Sequence, residues 1–420
     1  MIYYCVSKAI AGGWMEELFK ESIECLKRMR NFSEQELRIL EDTDKAADEM
    51  AAPDFEHYLK HEVDMDAFRI AQKHGLFGIP IKREYEGSDA GTLVAALAKE
   101  RIGQMGLGFS SSFSVQVFLC GLSLQRWGTE EQKKRYLVPN VRGEKIFAFA
   151  LTEPEAGSDP ASMSTTYEKR GDRFVLNGTK YLITNGSIAT NIIIFAKSRD
   201  NPKEITAFIV DSKNSGFLAT QLKEKIGLAT SDTAMLEFEN VEVQEADVLG
   251  QPGKGMHVAY SGLFNGRLGV ASSCVGLIEG CLNAAVKRSK ERVQFGKPIG
   301  RHQLIQKHIA EIRQNLEMAR WPTYYAAMRN DEYMKNPDDK ALMAEMDLRL
   351  SLAKKIASRL AFESADHAVQ VFGGFGYSLL SPVGRLFCDS RVARIYEGSD
   401  EIQELKIASA VLGDDFKAFD

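Results

Sequence analysis

Cysteine is sparse in this chain and shows no pairing pattern. Cys5, Cys25, Cys120, Cys274, Cys281 and Cys388 are scattered without a Cys-x-x-Cys pair, so neither a disulfide frame nor a zinc ribbon is indicated, and the thiols read as buried groups of a reducing compartment. The seven histidines lack His-Glu-x-x-His or any other metal spacing, and no metal is assigned. No apolar run reaches the roughly 18 residues that a membrane span needs. The first dozen residues, with one lysine and a weak apolar stretch, match a signal peptide poorly. A basic surplus is missing as well: the formal net charge is -5, which argues against nucleic acid, whose phosphates need a basic surface. These absences leave the cytoplasm as the expected location.

What is present is an ordinary globular composition, 44% apolar and 26% charged, over 420 residues. That length exceeds one compact core and favours two or three domains. Apolar residues fall at helical spacing in 14–30, and Ser33-Glu-Gln-Glu36 resembles a capping box opening a helix to about Met50. Further helices are predicted over 64–74, 91–105, 113–127 and 130–139. The period then changes. Phe147–Leu151, Arg173–Leu176, Tyr181–Thr184, Ile192–Lys197, Ile205–Val210, Leu218–Leu222 and Ala234–Phe238 are short strand-like runs, with turn signals at Asn177-Gly178 and Asn185-Gly186. Helices return over 256–290, 301–329, 339–372 and 381–412. The predicted fold class is thus α+β multidomain. It comprises an all-α N-terminal domain (1–145, with 1–31 as an added helical extension), a middle antiparallel β barrel or sandwich (146–250) and a C-terminal four-helix bundle (251–420).

Three segments carry chemistry. Arg394-Ile-Tyr-Glu397-Gly398-Ser399-Asp-Glu401-Ile-Gln sets one carboxylate beside a glycine in apolar company, Gln370-Val-Phe-Gly373-Gly374-Phe-Gly376-Tyr377 precedes it, and Leu151-Thr152-Glu153-Pro154-Glu155-Ala156-Gly157-Ser158-Asp159 lies far upstream. Gly398 lets a ligand approach the backbone, and apolar surroundings raise a carboxylate pKa toward a useful range for a base. Together the segments resemble the acyl-CoA dehydrogenase family of flavoenzymes, over roughly residues 34–412, and that family has the same α–β–α arrangement.

The resemblance implies an FAD-dependent enzyme that removes hydrogen from the α and β carbons of a fatty acyl-CoA. Such a reaction needs a base for the α proton, a redox cofactor for the β hydride, and stabilisation of the thioester oxygen. Glu397 falls where the family keeps its base, with the backbone nearby, including Gly398, helping to bind the thioester. Some relatives place the base just before the arginine matching Arg267; Gly266 stands there instead. Arg267 would anchor substrate at the pocket base, although the polar residue often found three positions before it is Phe264 here.

By the same resemblance Thr152 hydrogen-bonds the flavin edge, Phe149 and Leu151 line the flavin, and Gly157 and Ser158 form a turn whose hydroxyl meets the cofactor diphosphate or the CoA arm. Thr184 would bond near the hydride-accepting nitrogen, beside Leu182 where many relatives carry an aromatic residue. Arg292, Phe295, His302 and Gln303, with Gln370, Gly373 and Gly374, correspond to a cofactor-tail site serving a neighbouring subunit, which implies at least a dimer and usually a homotetramer. Ser399 and Glu401 replace the Thr and Gln or Glu of many relatives. Electron-transfer flavoprotein is the expected acceptor. An oxygen-using acyl-CoA oxidase and a vestigial scaffold are the alternatives. A short or medium acyl chain is favoured. Ser114-Val-Gln resembles glutaryl-type relatives, but the arginine those carry shortly before it is missing from Phe109–Phe113, so a dicarboxylic substrate is not expected.

Overall fold

The computed structural model describes residues 16–416. Trp14 and Cys5 lie outside them. Helix α1 (Glu16–Lys27) buries Phe19 and Leu26, and its Glu21 bridges to Arg313 at 3.1 Å. Helix α2 (Glu34–Lys60) opens on the predicted capping box, with Ser33 and Glu36 exchanging bonds. It runs on past Met50 because Pro53 is accommodated within it. Proline removes one backbone donor and usually kinks a helix; here the turn beyond Pro53 buries Asp54, Phe55 and Tyr58. α3 (Met65–Lys73) and α4 (Gly91–Gly103) follow. α4 is buried on every face from Thr92 to Gly103, wedged among α2 and two long C-terminal helices, so its charged residues have to find partners inside. α5 begins at Gly108, earlier than the sequence pattern indicated, and runs through Gly108–Ser114, Val115–Gly121 and Leu122–Trp127, the middle stretch wound as a π-helix. Local π winding often marks functional segments. α6 spans Glu130–Gln132, Lys133–Leu137 and Val138–Val141.

The strands are β1 (Phe147–Ala150), β2 (Thr166–Arg170), β3 (Arg173–Thr184), β4 (Asn191–Ser198), β5 (Ile205–Asp211), β6 (Phe217–Gln221), β7 (Thr233–Gln244) and β8 (Val248–Leu249). They form one eight-stranded sheet in the order β6-β7-β3-β2-β4-β5-β8, with β1 on β4. Most pairings are antiparallel, but β4 pairs in parallel with both β1 and β2. The expected turn at Asn177-Gly178 is a bulge inside the single strand β3. Asn177 exchanges bonds with Asn240 across the ladder, and Gly178 (φ 147°) passes so close to Thr165 that a side chain there would clash. Asn-Gly signals a tight turn only where nothing across the ladder captures the asparagine. β2 went unpredicted because Thr166–Arg170 is mostly polar and half-exposed.

Alternation along β1 sends Phe147, Phe149 and Leu151 into the helical core and Ala148 and Ala150 into the sheet's own interior, as a period of two requires. The C-terminal part contains α7 (Gly255–Glu291), a short hairpin (β9, Val293–Gln294; β10, Lys297–Pro298), α8 (Gln303–Lys335), α9 (Lys340–Phe372), α10 (Pro382–Ser390) and α11 (Asp400–Leu412). α7 has an 18-residue window of mean hydropathy 1.4, long and apolar enough to cross a membrane, contrary to the reading of the bare sequence. That window is 83% buried among α4, α8 and α9, which is the setting of a core helix.

Candidate active site

The pattern over 381–412 predicts one helix; the chain instead leaves the helix after α10 and re-enters at α11, with Glu397 in the break. Glu397 has φ 54° and Gly398 φ 86°. A left-handed backbone is costly for a residue other than glycine and persists only when its surroundings fix it. They do so here. Lys354 Nζ of α9 donates to Gly398 O at 2.7 Å, and Gln403 Nε2 donates to the same oxygen at 3.0 Å and to Glu397 O at 3.4 Å. Asp400 accepts from Ser358 Oγ at 3.0 Å and from Arg394 Nε at 2.7 Å. Ser399 caps α11 by accepting from Ile402 N at 3.4 Å.

The Glu397 side chain is half-buried as a whole, but its tip is enclosed, and Oε2 has no hydrogen-bond partner. It lies across the bare backbone of Gly266 on α7, where a Cβ would meet the carboxylate, 2.8 Å from its Cδ. Burial pushes the carboxyl up to about 7, against the opposing pull of Lys99, Lys354 and Arg267. A carboxyl half-ionised near neutrality, with an unpaired oxygen, is equipped to take a proton. Arg267, expected to anchor substrate at the pocket base, is buried and bound within its own chain. Its guanidinium donates to Asp347 Oδ1 at 2.6 Å and Ser351 Oγ at 2.7 Å on α9, so its hydrogen bonds lock α7 to α9.

The upstream segment forms a second part. Thr152 is half-buried, and its carbonyl accepts from Tyr181 N at 2.9 Å, tying the loop to β3. There β3 breaks register between Lys180 and Ile183, leaving Leu182 at φ 58° and 54% exposed and Thr184 half-buried. Gly157 has open space where a side chain would be, and Ser158 is exposed beside it. Phe149 packs on Phe195, 4.9 Å between ring centres, and against Gly262 of α7. Both Phe149 and Leu151 are buried, as supports for this surface.

The remaining predicted residues lie elsewhere. Arg292 and Phe295 are exposed at the hairpin that follows α7, Phe295 at 94%, and His302, half-exposed, and Gln303, exposed, open α8 just after it. Gln370, Gly373 and Gly374 are exposed at the end of α9, near the same end of the bundle, where Arg288 of α7 lies 5.4 Å from the Phe372 ring. From Gly266 to Glu291 α7 climbs roughly 38 Å at 1.5 Å per residue. Within one chain the hairpin and Glu397 are therefore too far apart to hold two ends of one dinucleotide. Glu401 is exposed on α11. A cavity of about 340 Å³ lined by Val286, Ser289, Gly300, Ile309 and Ala310 also lies at the hairpin end, away from Glu397.

Sequence models of the acyl-CoA dehydrogenase N-terminal, middle and C-terminal domains match residues 33–144, 148–241 and 253–412. The chain belongs to the acyl-CoA dehydrogenase family. It is 39% identical over 345 residues to a short-chain-specific acyl-CoA dehydrogenase of Megasphaera elsdenii, covering 80% of this chain and 87% of that one. It is 37% identical over 402 residues to the 3-(aryl)acrylate reductase of Clostridium sporogenes, covering 94% and 99%. The butyryl-CoA dehydrogenase structure from Megasphaera elsdenii superposes with a TM-score of 0.85 at 34% identity, over 91% of this chain and all of that one.

Acyl-CoA dehydrogenases are FAD-dependent oxidoreductases, and the surface around Thr152 fits such a cofactor. The open backbone at Gly157, the exposed Ser158 and the displaced Leu182 leave room on one side, while Phe149 and Leu151 brace the other. Sequence reasoning missed the residues that hold this frame. Lys180 Nζ reaches Glu153 Oε1 at 2.8 Å and Leu151 O at 3.0 Å, both groups buried, and Glu153 accepts from Thr165 N at 3.0 Å. Lys354 and Asp400, which fix the backbone at Glu397, also escaped notice, as did Lys99. Each of these last three has a charged residue next to it in the sequence, so no local signal set it apart.

Proposed function

We propose that this acyl-CoA dehydrogenase oxidises a short acyl-CoA to the trans-2-enoyl-CoA, with Glu397 as the base that takes the α proton. One observation carries the reading: an enclosed carboxylate, unpaired at Oε2 and poised near neutrality, held in a strained backbone turn facing a glycine. FAD bound against Thr152, Thr184, Ser158, Phe149 and Leu151 supplies the acceptor for the β hydride. The left-handed turn at Glu397 and Gly398 presents backbone amide for the thioester oxygen, where charge develops. Apolar surroundings exclude water and favour the neutral carboxyl once the proton has arrived.

The separation of Glu397 from the hairpin supports a shared cofactor site. Arg292, Phe295, His302 and Gln303, with Gln370, Gly373 and Gly374, face the FAD tail of a second copy, Arg292 through its forked donors to the diphosphate. Ser399 and Glu401 stand beside Glu397, at the other end of the bundle, and contact the FAD at their own chain's base. The working particle is then a homotetramer built as a dimer of dimers, electrons leave to an electron-transfer flavoprotein, and the cytoplasm is its place. The short-chain specificity of the Megasphaera elsdenii relative supports the acyl length.

The test is a visible spectrum of the purified protein, then anaerobic titration with butyryl-, isobutyryl- and octanoyl-CoA. A flavin band bleached by butyryl-CoA and slow to recover in air is the expected result. Rapid recovery in air makes the protein an oxidase. A protein that takes up no FAD on reconstitution ends the reading.

A further inference from the structure

His57, Asp64 and Asp66 meet at the corner where α2 gives way to α3. No spacing motif announces them, because the chain reverses at His61, the left-handed C-cap of α2 (φ 54°). His57 Nε2 lies 3.0 Å from Asp66 Oδ2 and 3.8 Å from Asp64 Oδ1. One donor atom from each of the three falls within 4.8 Å of the other two, and no other trio of such side chains among the described residues comes this close. The corner belongs neither to the Glu397 turn nor to the surface around Thr152.

Holding the fold uses only one oxygen of each carboxylate. Asp64 caps α3, its Oδ1 accepting from Ala67 N at 2.8 Å, and Asp66 Oδ1 accepts from Arg69. The second oxygens have no such duty. Asp64 is fully buried, and its Oδ2 is enclosed without a hydrogen-bond partner among the described residues. A buried carboxylate oxygen left in that state is costly. Asp66 Oδ2 faces the imidazole. His57 Nδ1 is likewise enclosed and unbonded, with Glu62 Oε2 3.6 Å away. A carboxylate behind the far ring nitrogen is how metal-ligating histidines are commonly oriented. Asp64 is also pinned from outside the corner, its N–H donating to Thr230 O at 3.0 Å in the loop between β6 and β7. The His57 and Asp66 side chains, 22% and 42% exposed, leave a path from solvent.

We propose that His57, Asp64 and Asp66 bind a divalent transition cation of the zinc type, through Nε2 and one oxygen of each carboxylate. Bonds of about 2.1 Å at tetrahedral angles set ligand atoms about 3.4 Å apart, and the observed 3.0 and 3.8 Å bracket that spacing. Two carboxylates balance the ion's charge, and an imidazole ligand selects against magnesium and calcium. Water fills the fourth position. Nε2 gives its lone pair to the metal, the ring proton sits on Nδ1, and Glu62 accepts from it. The ion braces the α2–α3 corner against the β6–β7 loop. This role is structural and stands apart from the dehydrogenase reading.

The experiment strips the FAD-loaded enzyme with EDTA, removes the chelator and titrates zinc chloride by calorimetry, with elemental analysis after gel filtration. One zinc per chain, a higher unfolding temperature and an unaltered flavin band are expected. His57→Gln and Asp66→Asn should each abolish stoichiometric uptake, and Glu62→Gln should weaken it about tenfold to a hundredfold. Asp64→Asn keeps a cap for α3 and should lose the ion too; should that buried change prevent folding, the partly exposed His57→Gln decides. Uptake that survives both His57→Gln and Asp66→Asn overturns the site and points to other groups, such as the His308–His367 pair, whose Nδ1 atoms lie 3.0 Å apart. A wild type that takes up no zinc overturns it as well, as does magnesium chloride bound there equally tightly. Flavin bleaching by butyryl-CoA should be the same with and without zinc. Its failure in both forms sinks the dehydrogenase reading and leaves the cation site standing.

Discussion

Gly266 and Glu397 occupy each other's space. The backbone of α7 at Gly266 is bare where the carboxylate lies, and a Cβ there would meet Oε2 and sit 2.8 Å from Cδ. Two elements more than a hundred residues apart in sequence thus depend on one missing side chain. The same glycine that leaves no carboxyl on α7 at this point makes room for the carboxyl of Glu397.

Gly266→Ala should therefore fold, because the atoms it strikes are the far end of a flexible side chain, yet it should misplace the carboxylate. A displacement of about 1 Å costs on the order of a hundredfold in rate. Stopped-flow bleaching should slow by that order with FAD content unchanged.

Glu397→Gln removes the proton acceptor and keeps the shape. Reductive bleaching by the best acyl-CoA should slow by about 10²–10⁴-fold, the range of a positioned acid–base group. The oxidised flavin spectrum should be unaltered. Full-speed bleaching in this variant would remove Glu397 from its role.

Activity should follow the ionisation of Glu397. Burial raises the carboxyl to about 7, and the base works only when ionised. The pH profile of kcat/KM should climb about tenfold per unit below that value and flatten above it. A profile already flat at pH 5 would show a carboxyl with an ordinary pKa.

The Glu153–Lys180 pair should matter for stability. Burial pushes the Glu153 carboxyl up, but Lys180, Ser164 and Thr165 outweigh it and hold the group at about 2. A pKa held below its unfolded value adds stability that is present above about pH 4 and is lost as pH falls toward 2. Lys180→Met strands the carboxylate and should cost about 3–5 kcal/mol. Thermal unfolding should show much of that loss recovered in Lys180→Met with Glu153→Gln.

Arg292→Ala tests the shared site. Flavin-to-protein ratio and oligomer mass by light scattering should both fall, while the Glu153 loop and Glu397 stay intact in the same chain. Unchanged flavin content would argue for a site contained in one subunit.

The order of helix, sheet and helix was legible in the sequence because it depends on local periodicity, and Glu397 was legible because a charge stood out in Ile-Tyr-Glu-Gly. The capping box at Ser33 is equally local. Breaks in pattern were not legible. Asn177-Gly178 reads as a turn until Asn240 captures it across the ladder, and 381–412 reads as one helix until Lys354 and Gln403 hold the carbonyl of Gly398. Lys99 has Glu100 and Arg101 as its neighbours in the sequence, and nothing local sets it apart. Only the wrapping of α4 on every side made it a buried cation, since burial depends on which elements pack together and not on the residue's own neighbours in the chain. The sequence by itself determined the elements and the chemistry available to them; tertiary packing decided which charges were paired, which were left facing Glu397, and that Glu397 and the hairpin after α7 stand at separate ends of that helix, because packing, unlike local periodicity, depends on residues far apart in the chain.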